Sequence, residues 1–261
     1  LKPGLNIARV PKKITNQSEV FPTSFPLAAT YLQLPASHRN TPRCFKKSNN
    51  NTFNRMSGIM EYNGSAIVAM VGDGCVGIAS DTRYGIRQLQ TVSCNRQKMF
   101  KMTDQCYVGL SGLATDVQTF SQLLNFRLKL FSLKEERQMQ PKTVGNMIAS
   151  MLYERRFGPW FTEPVVAGLD KDKQPFVCSF DFIGAMSKSP DFVVAGSTTE
   201  QLYGVCESFF RPGMNKDELF ETLSQCLLSA ADRDCLAGWG GVVHIITPDE
   251  IITKTLKGRM D

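Results

Sequence analysis

The chain has 261 residues, 42% of them apolar, with a formal charge of +6, which is ample material for a buried core in one large domain or two small ones. Residues 1–55 hold nine Lys or Arg against one acid, Glu19, leaving 21 basic and 23 acidic residues, a balance of −2, for the rest. The basic balance therefore belongs to the leader alone and gives the remainder no basic face for nucleic acid.

Eight cysteines stand singly, with no C-x-x-C and no neighbouring histidine, which argues against a zinc site or a thioredoxin-like motif. Segments such as Val177-Cys178-Ser179-Phe180 read as small buried hydrophobes in a reducing compartment. No run approaches eighteen apolar residues, so no spanning helix is expected.

Residues 1–55 carry six prolines, the tract Ser48-Asn49-Asn50-Asn51-Thr52 and no sustained periodicity, and read as a disordered or spurious basic leader. The chain opens on Leu1, whereas Met56-Ser57-Gly58 offers a start just before the composition turns globular. An upstream coding stretch, a flexible leader and a targeting peptide are the readings this allows. Residues 56–261 are expected to form one domain.

Apolar, β-branched runs at 65–71 and 75–80 flank Gly72-Asp73-Gly74 and predict a hairpin. Further strands are expected at 89–93, 98–102 and 106–111. Val117, Phe120, Leu123, Leu124, Phe126, Leu128 and Phe131 then recur at helical spacing, and 142–156 predicts a second helix. Strands return at 164–168, 175–183 and 192–195, followed by helices at 199–209 and 217–233 and a closing hairpin, 241–247 and 250–256, across Pro248-Asp249. Strand runs alternating with helix pairs predict two stacked antiparallel sheets flanked by helices, an α+β architecture. No phosphate-binding glycine loop, dinucleotide fingerprint or H-E-x-x-H motif occurs, so no cofactor and no metal site built from side chains is expected.

Only two histidines exist, His38 and His244. His244 lies in an apolar strand run, Val242 to Ile246, and reads as structural in preference to the base of a Ser-His-Asp triad. A nucleophile in this chain would need another base, and a free α-amine, with an ordinary pKa of about 7.7–8.0, can serve.

The segments Gly64-Ser65-Ala66-Ile67-Val68-Ala69-Met70, Cys75 to Arg83, Lys98-Met99-Phe100 and Leu110-Ser111-Gly112-Leu113-Ala114-Thr115-Asp116 resemble the opening of a proteasome β subunit. More narrowly, Leu152 to Pro159, Pro164 to Gly168, Leu219-Phe220-Glu221-Thr222, Ala230 to Asp234 and Arg259-Met260-Asp261 are similar to one non-catalytic kind of these subunits. The resemblance covers residues 56–261 and leaves the leader without a counterpart.

The resemblance implies the N-terminal nucleophile hydrolase fold, a four-layer αββα sandwich with two antiparallel sheets between helix pairs. In active members, cleavage after a glycine frees a threonine whose hydroxyl attacks the peptide carbonyl and whose amine is the base. Carried over by residue, Gly64 is the junction, Ser65 the nucleophile position, Asp81 the supporting aspartate and Lys98, with one inserted residue, the lysine that lowers the nucleophile's proton affinity. Asp234 matches one of two supports flanking the amine, while Ala237 stands where the other, a serine hydroxyl, is expected; Ser197, after Gly196, matches a serine near the fifth-strand turn, a place where turn chemistry alone also puts one. Losing one hydrogen bond to a charged group, about 1.5–3 kcal/mol, lowers a rate roughly ten- to a hundredfold.

The implied role is thus structural, without catalytic residues, within a complex of threonine-type endopeptidases. Implied partners are six other β subunits in a seven-membered ring, an α ring and ubiquitin-tagged polypeptides delivered through regulatory caps. The implied compartments are cytoplasm and nucleus. Family analogy alone adds a cation on backbone carbonyls near Ala231, Asp234 and Ala237. Two other readings stay open: a serine hydrolase matured by cleavage between Gly64 and Ser65, and a nucleic-acid or membrane-surface binder acting through the leader.

Overall fold

The computed structural model describes residues 58–260; the expected leader, 1–55, lies outside the described residues. Twelve strands and four long helices follow in the order β1(Ala66–Val71), β2(Val76–Asp81), β3(Tyr84–Ile86), β4(Gln90–Ser93), β5(Met99–Thr103), β6(Cys106–Gly112), α1(Ala114–Glu135), α2(Pro141–Tyr153), β7(Thr162–Leu169), β8(Pro175–Phe180), β9(Met186–Ser189), β10(Phe192–Gly196), α3(Thr199–Phe209), α4(Lys216–Ala231), β11(Gly241–Ile246) and β12(Ile251–Leu256).

Two five-stranded antiparallel sheets result, ordered β10-β1-β2-β11-β12 and β5-β6-β7-β8-β9, with β3 and β4 forming a separate ribbon. The near-continuous apolar runs follow from burial of the central strands on both faces, where strict polar alternation would leave polar groups unsatisfied. Along β1, Ala66, Val68 and Met70 face the α3–α4 core, with Leu219, Leu223, Cys226 and Leu227. Ile67 and Ala69 face the other sheet, against Tyr107, Val165, Ala167 and Leu169. On the far side of the second sheet, Val108, Leu110 and Val166 meet Phe120, Leu124, Ile148 and Leu152 of α1 and α2. Three apolar layers separated by two sheets make the αββα sandwich that the helix and strand order predicts.

Local sequence sets the helix starts. Pro141 opens α2 at a position where its missing N–H costs nothing. At α4, the Asn215 N–H donates to the Glu218 carboxylate at 3.1 Å, half of a reciprocal cap that satisfies donors the helix itself cannot.

Several boundaries differ from the sequence expectation. Helix α1 runs a turn further, to Glu135, while α2 stops at Tyr153 and α4 at Ala231. The expected strand 175–183 ends at Phe180, and β9, which pairs with it at Phe180↔Met186, was not anticipated. Its sequence, MSKS, is the short polar edge of a sheet and carries no apolar period. Likewise β3 pairs Ile86 with Gln90 although only its partner region had strand character.

Candidate functional site

The site forms where the start of β1, the end of β2 and the loop after α4 converge, and Asp81 is its centre. Asp81 is fully buried, and its Oδ1 lies 2.6 Å from Lys98 Nζ. The same oxygen accepts the Ala66 N–H at 2.9 Å, while Oδ2 accepts the Gly238 N–H at 3.2 Å. One carboxylate thus ties β1, the approach to β5 and the loop after α4 together. Three charge-assisted hydrogen bonds offset the desolvation of a buried ion pair, which Coulomb attraction alone would not.

Lys98 is also buried, and its ammonium makes a second bond, 3.2 Å, to the Gly64 carbonyl. Burial lowers its pKa, with Asp81 opposing that shift. The lysine therefore holds the peptide oxygen of the candidate junction in place.

Ser65 is 3% exposed. Its N–H donates to Ser197 Oγ at 3.2 Å, its carbonyl accepts the Ser197 N–H at 2.9 Å, and Ser197 Oγ stands 3.2 Å from the same carbonyl. Ser197 Oγ in turn lies 2.7 Å from Asp234 Oδ2, and Asp234 Oδ1 accepts the Leu236 N–H at 3.2 Å. Gly196, at φ +109°, passes so close to Ser65 that an added Cβ would stand 2.8 Å from Ser65 Oγ. With the Gly64–Ser65 bond intact, the Ser65 nitrogen is an amide and offers no lone pair as base.

The residues matched by resemblance thus come together in two hydrogen-bonded groups, Gly64–Lys98–Asp81 and Ser65–Ser197–Asp234, joined through the Gly64–Ser65 peptide bond. Ala237 is 5% exposed and belongs to the apolar core of α3 and α4, so its position holds a methyl group in place of a hydroxyl. His244 lies apart: its Nδ1 is 2.8 Å from Thr253 Oγ1 and its ring stacks on Tyr107 at 4.6 Å, with burial lowering its pKa. Among the described residues no cluster of three or more His, Cys, Asp or Glu could hold a metal.

Two contributors, Asn63 and Arg83, escaped the sequence reading. Asn63, 5% exposed, donates to the Gly85 carbonyl at 2.9 Å and accepts the Ala114 N–H at 2.9 Å. Arg83, 3% exposed, donates to the Leu236 carbonyl at 2.7 Å and through Nε to Thr91 Oγ1 at 3.1 Å. Gly64 adopts φ +73°, and a Cβ there would stand 2.6 Å from the Leu236 carbonyl oxygen, so a glycine is required by conformation and by space. A buried Asn or Arg has no sequence signature, because its partners come from distant segments. The junction glycine was visible, but its contact with Leu236 was not.

Residues 61–246 match the family model described as proteasome subunit. Proteasome subunit beta type-3 of Picea mariana is 58% identical over 203 residues, covering 78% of this chain and 99% of the relative. The protein described as probable proteasome subunit beta type-3 in Schizosaccharomyces pombe is 53% identical over the same length, with the same coverage. Proteasome subunit beta type-3 of Drosophila melanogaster is 49% identical over 204 residues, again 78% of this chain and 99% of the relative. The buried Asp81–Lys98 pair, the glycine-serine junction it grips and these matches lead to one conclusion: the chain belongs to the proteasome subunit family.

Proposed function

We propose that this chain fills the type-3 position of a proteasome core-particle β ring as a structural, non-catalytic subunit, and that it supports protein degradation through assembly. It would sit among six other β subunits, against an α ring, in the cytoplasm and nucleus. Substrate polypeptides would reach the complex and not a reactive serine on this chain.

The observation that carries the non-catalytic reading is how firmly the segment before the Gly64–Ser65 junction is held. Residues just before it are built into the fold: Asn63 bridges Gly85 and Ala114, Tyr62 accepts the Arg87 N–H at 2.7 Å, and Lys98 grips the Gly64 carbonyl. Cleavage would release a segment that makes buried hydrogen bonds, each worth on the order of 1 kcal/mol net. The methyl of Ala237 and the absence of a threonine β-methyl beside the Ser65 hydroxyl point the same way.

Ser65, Asp81 and Lys98 retain the arrangement on which an N-terminal serine hydrolase would draw, and this sustains the second reading. Intact-mass measurement and N-terminal sequencing of the chain from purified particles decide between them. A mature chain that retains Tyr62 and Asn63 is expected; one that begins at Ser65 overturns the non-catalytic reading.

A further inference from the structure

Helix α3 buries two side chains, Leu202 and Cys206, one turn apart. Helix α4 turns a longer stripe inward, with Leu219, Leu223, Cys226, Leu227 and Ala230 buried. The two helices pack on each other over the first sheet, within one apolar core. Cys206 and Cys226, both fully inaccessible, meet at that contact, where each thiol is the other's hydrogen-bond partner. Neither takes part in the candidate site.

Among the described residues every cysteine is free, but proximity in a core does not by itself allow a pair to join. Cys106 and Cys178 lie on β6 and β8, with β7 between them. Two strand spacings put their backbones about 9.5 Å apart or more, beyond the roughly 7 Å that a disulfide can bridge. Cys206 and Cys226 project from facing helices into a shared contact, with no element between them.

The hydrogen bond also makes the two thiols unequal. It raises the pKa of Cys206, with burial adding, and lowers that of Cys226 against the effect of burial. Cys226 is thus the sulfur that reaches the reactive thiolate form more readily, with Cys206 beside it as the resolving thiol. Access comes from local opening. Only two side chains in the eleven residues of α3 are buried, and a helix held by so few apolar contacts opens at low cost.

We propose that Cys206 and Cys226 are a redox-sensitive pair that a hydroperoxide converts to a disulfide, stapling α3 to α4. The Cys226 thiolate attacks hydrogen peroxide: an S–O bond forms, the O–O bond breaks, and the departing hydroxide takes up the proton that Cys226 gave and leaves as water. The Cys206 sulfur then attacks the sulfenic sulfur. The S–S bond forms, and the sulfenic hydroxyl leaves with the Cys206 proton as a second water. Together the two sulfurs lose two electrons and the peroxide gains two. Because α3 begins shortly after Ser197 and α4 ends shortly before Asp234, the staple joins the helices that carry the Ser197–Asp234 contact.

The test treats the purified full chain with hydrogen peroxide, alkylates it, digests it without reduction and maps the peptides by mass spectrometry. A Cys206–Cys226 cross-linked peptide, removed by dithiothreitol, is expected to exceed any other cysteine pairing roughly tenfold. Closing a loop of roughly twenty residues should slow amide exchange across α3 about tenfold or more, reversibly on reduction. Absence of the peptide, a yield no greater than that of Cys106–Cys178 or other pairings, or unchanged exchange in the cross-linked chain overturns the proposal. In Cys226→Ala, both the cross-link and the slowing should vanish. Slowed α3 exchange in the peroxide-treated variant assigns the effect to another group and overturns the staple.

Discussion

Lys98 Nζ stands 2.6 Å from Asp81 Oδ1 with both side chains nearly inaccessible, 7% and 0%, yet the two partners are unequally supported. Asp81 also accepts two backbone N–H groups, from Ala66 and Gly238. Lys98 has one further acceptor, the Gly64 carbonyl. Removing either partner strands the other, but not at equal cost.

Asp81→Leu is therefore expected to destabilise the chain more than Lys98→Met. The first leaves two N–H groups without partners and a buried ammonium with no counter-charge, held only by the Gly64 carbonyl, in the range of about 3–5 kcal/mol or beyond. The second leaves a carboxylate that keeps both amide donors. Thermal unfolding of the purified variants checks the order, and a larger loss in Lys98→Met would contradict this account of the pair.

Gly64→Ala places a Cβ against Leu236 in a backbone at φ +73°. Strain of roughly 1–3 kcal/mol from the left-handed conformation adds to the steric overlap. The loop after α4 has to shift, and because Arg83 binds the Leu236 carbonyl, slow exchange of the Leu236 and Gly238 amides should be lost first. Hydrogen exchange by mass spectrometry reads this directly; unchanged protection in that loop would refute it.

Asn63→Ala removes one donor and one acceptor, leaving the Gly85 carbonyl and the Ala114 N–H unsatisfied at about 1–3 kcal/mol in total. Its expected signature is local: residues 58–64 become sensitive to limited proteolysis and the first turn of α1 frays, while the two sheets keep their protection. Asn63→Asp should behave similarly, since it retains the acceptor for Ala114 but turns a donor toward Gly85 into a repelling oxygen. A variant as resistant as the parent would show that the segment is held by other contacts.

His244 sets a pH dependence. Burial lowers its pKa from the ordinary 6.5, so below that value the unfolded chain binds a proton that the folded chain resists. Stability rises with pH wherever the unfolded state binds more protons. The contribution is thus fully present above about pH 6.5 and is lost as pH falls from there toward the folded value. His244→Phe keeps the stacking on Tyr107 and should flatten the change in melting temperature between pH 7.5 and 5.5. An unaltered slope in that variant would assign the dependence to other groups.

The sequence by itself determined the layers and the chemistry available to them. Apolar runs such as Ala66 to Val71 had to be buried on both faces, the helical period of α2 had to face a sheet, and the resemblance through Gly64, Ser65, Asp81 and Lys98 named the residues of the site. Short polar strands were not legible: β3 and β9 exist only because a neighbour offers an unpaired edge. Nor was the exposure of Phe126, Leu130 and Leu133 on α1, which look like any core residues until the inner positions are seen to be filled. What only the tertiary structure decided is how the junction is held. Asn63, Arg83, Ser197 and Asp234 reach their partners across 22 to 153 residues of chain. A hydrogen bond depends on angles and distances of a few tenths of an ångström, which no local pattern of residue types encodes.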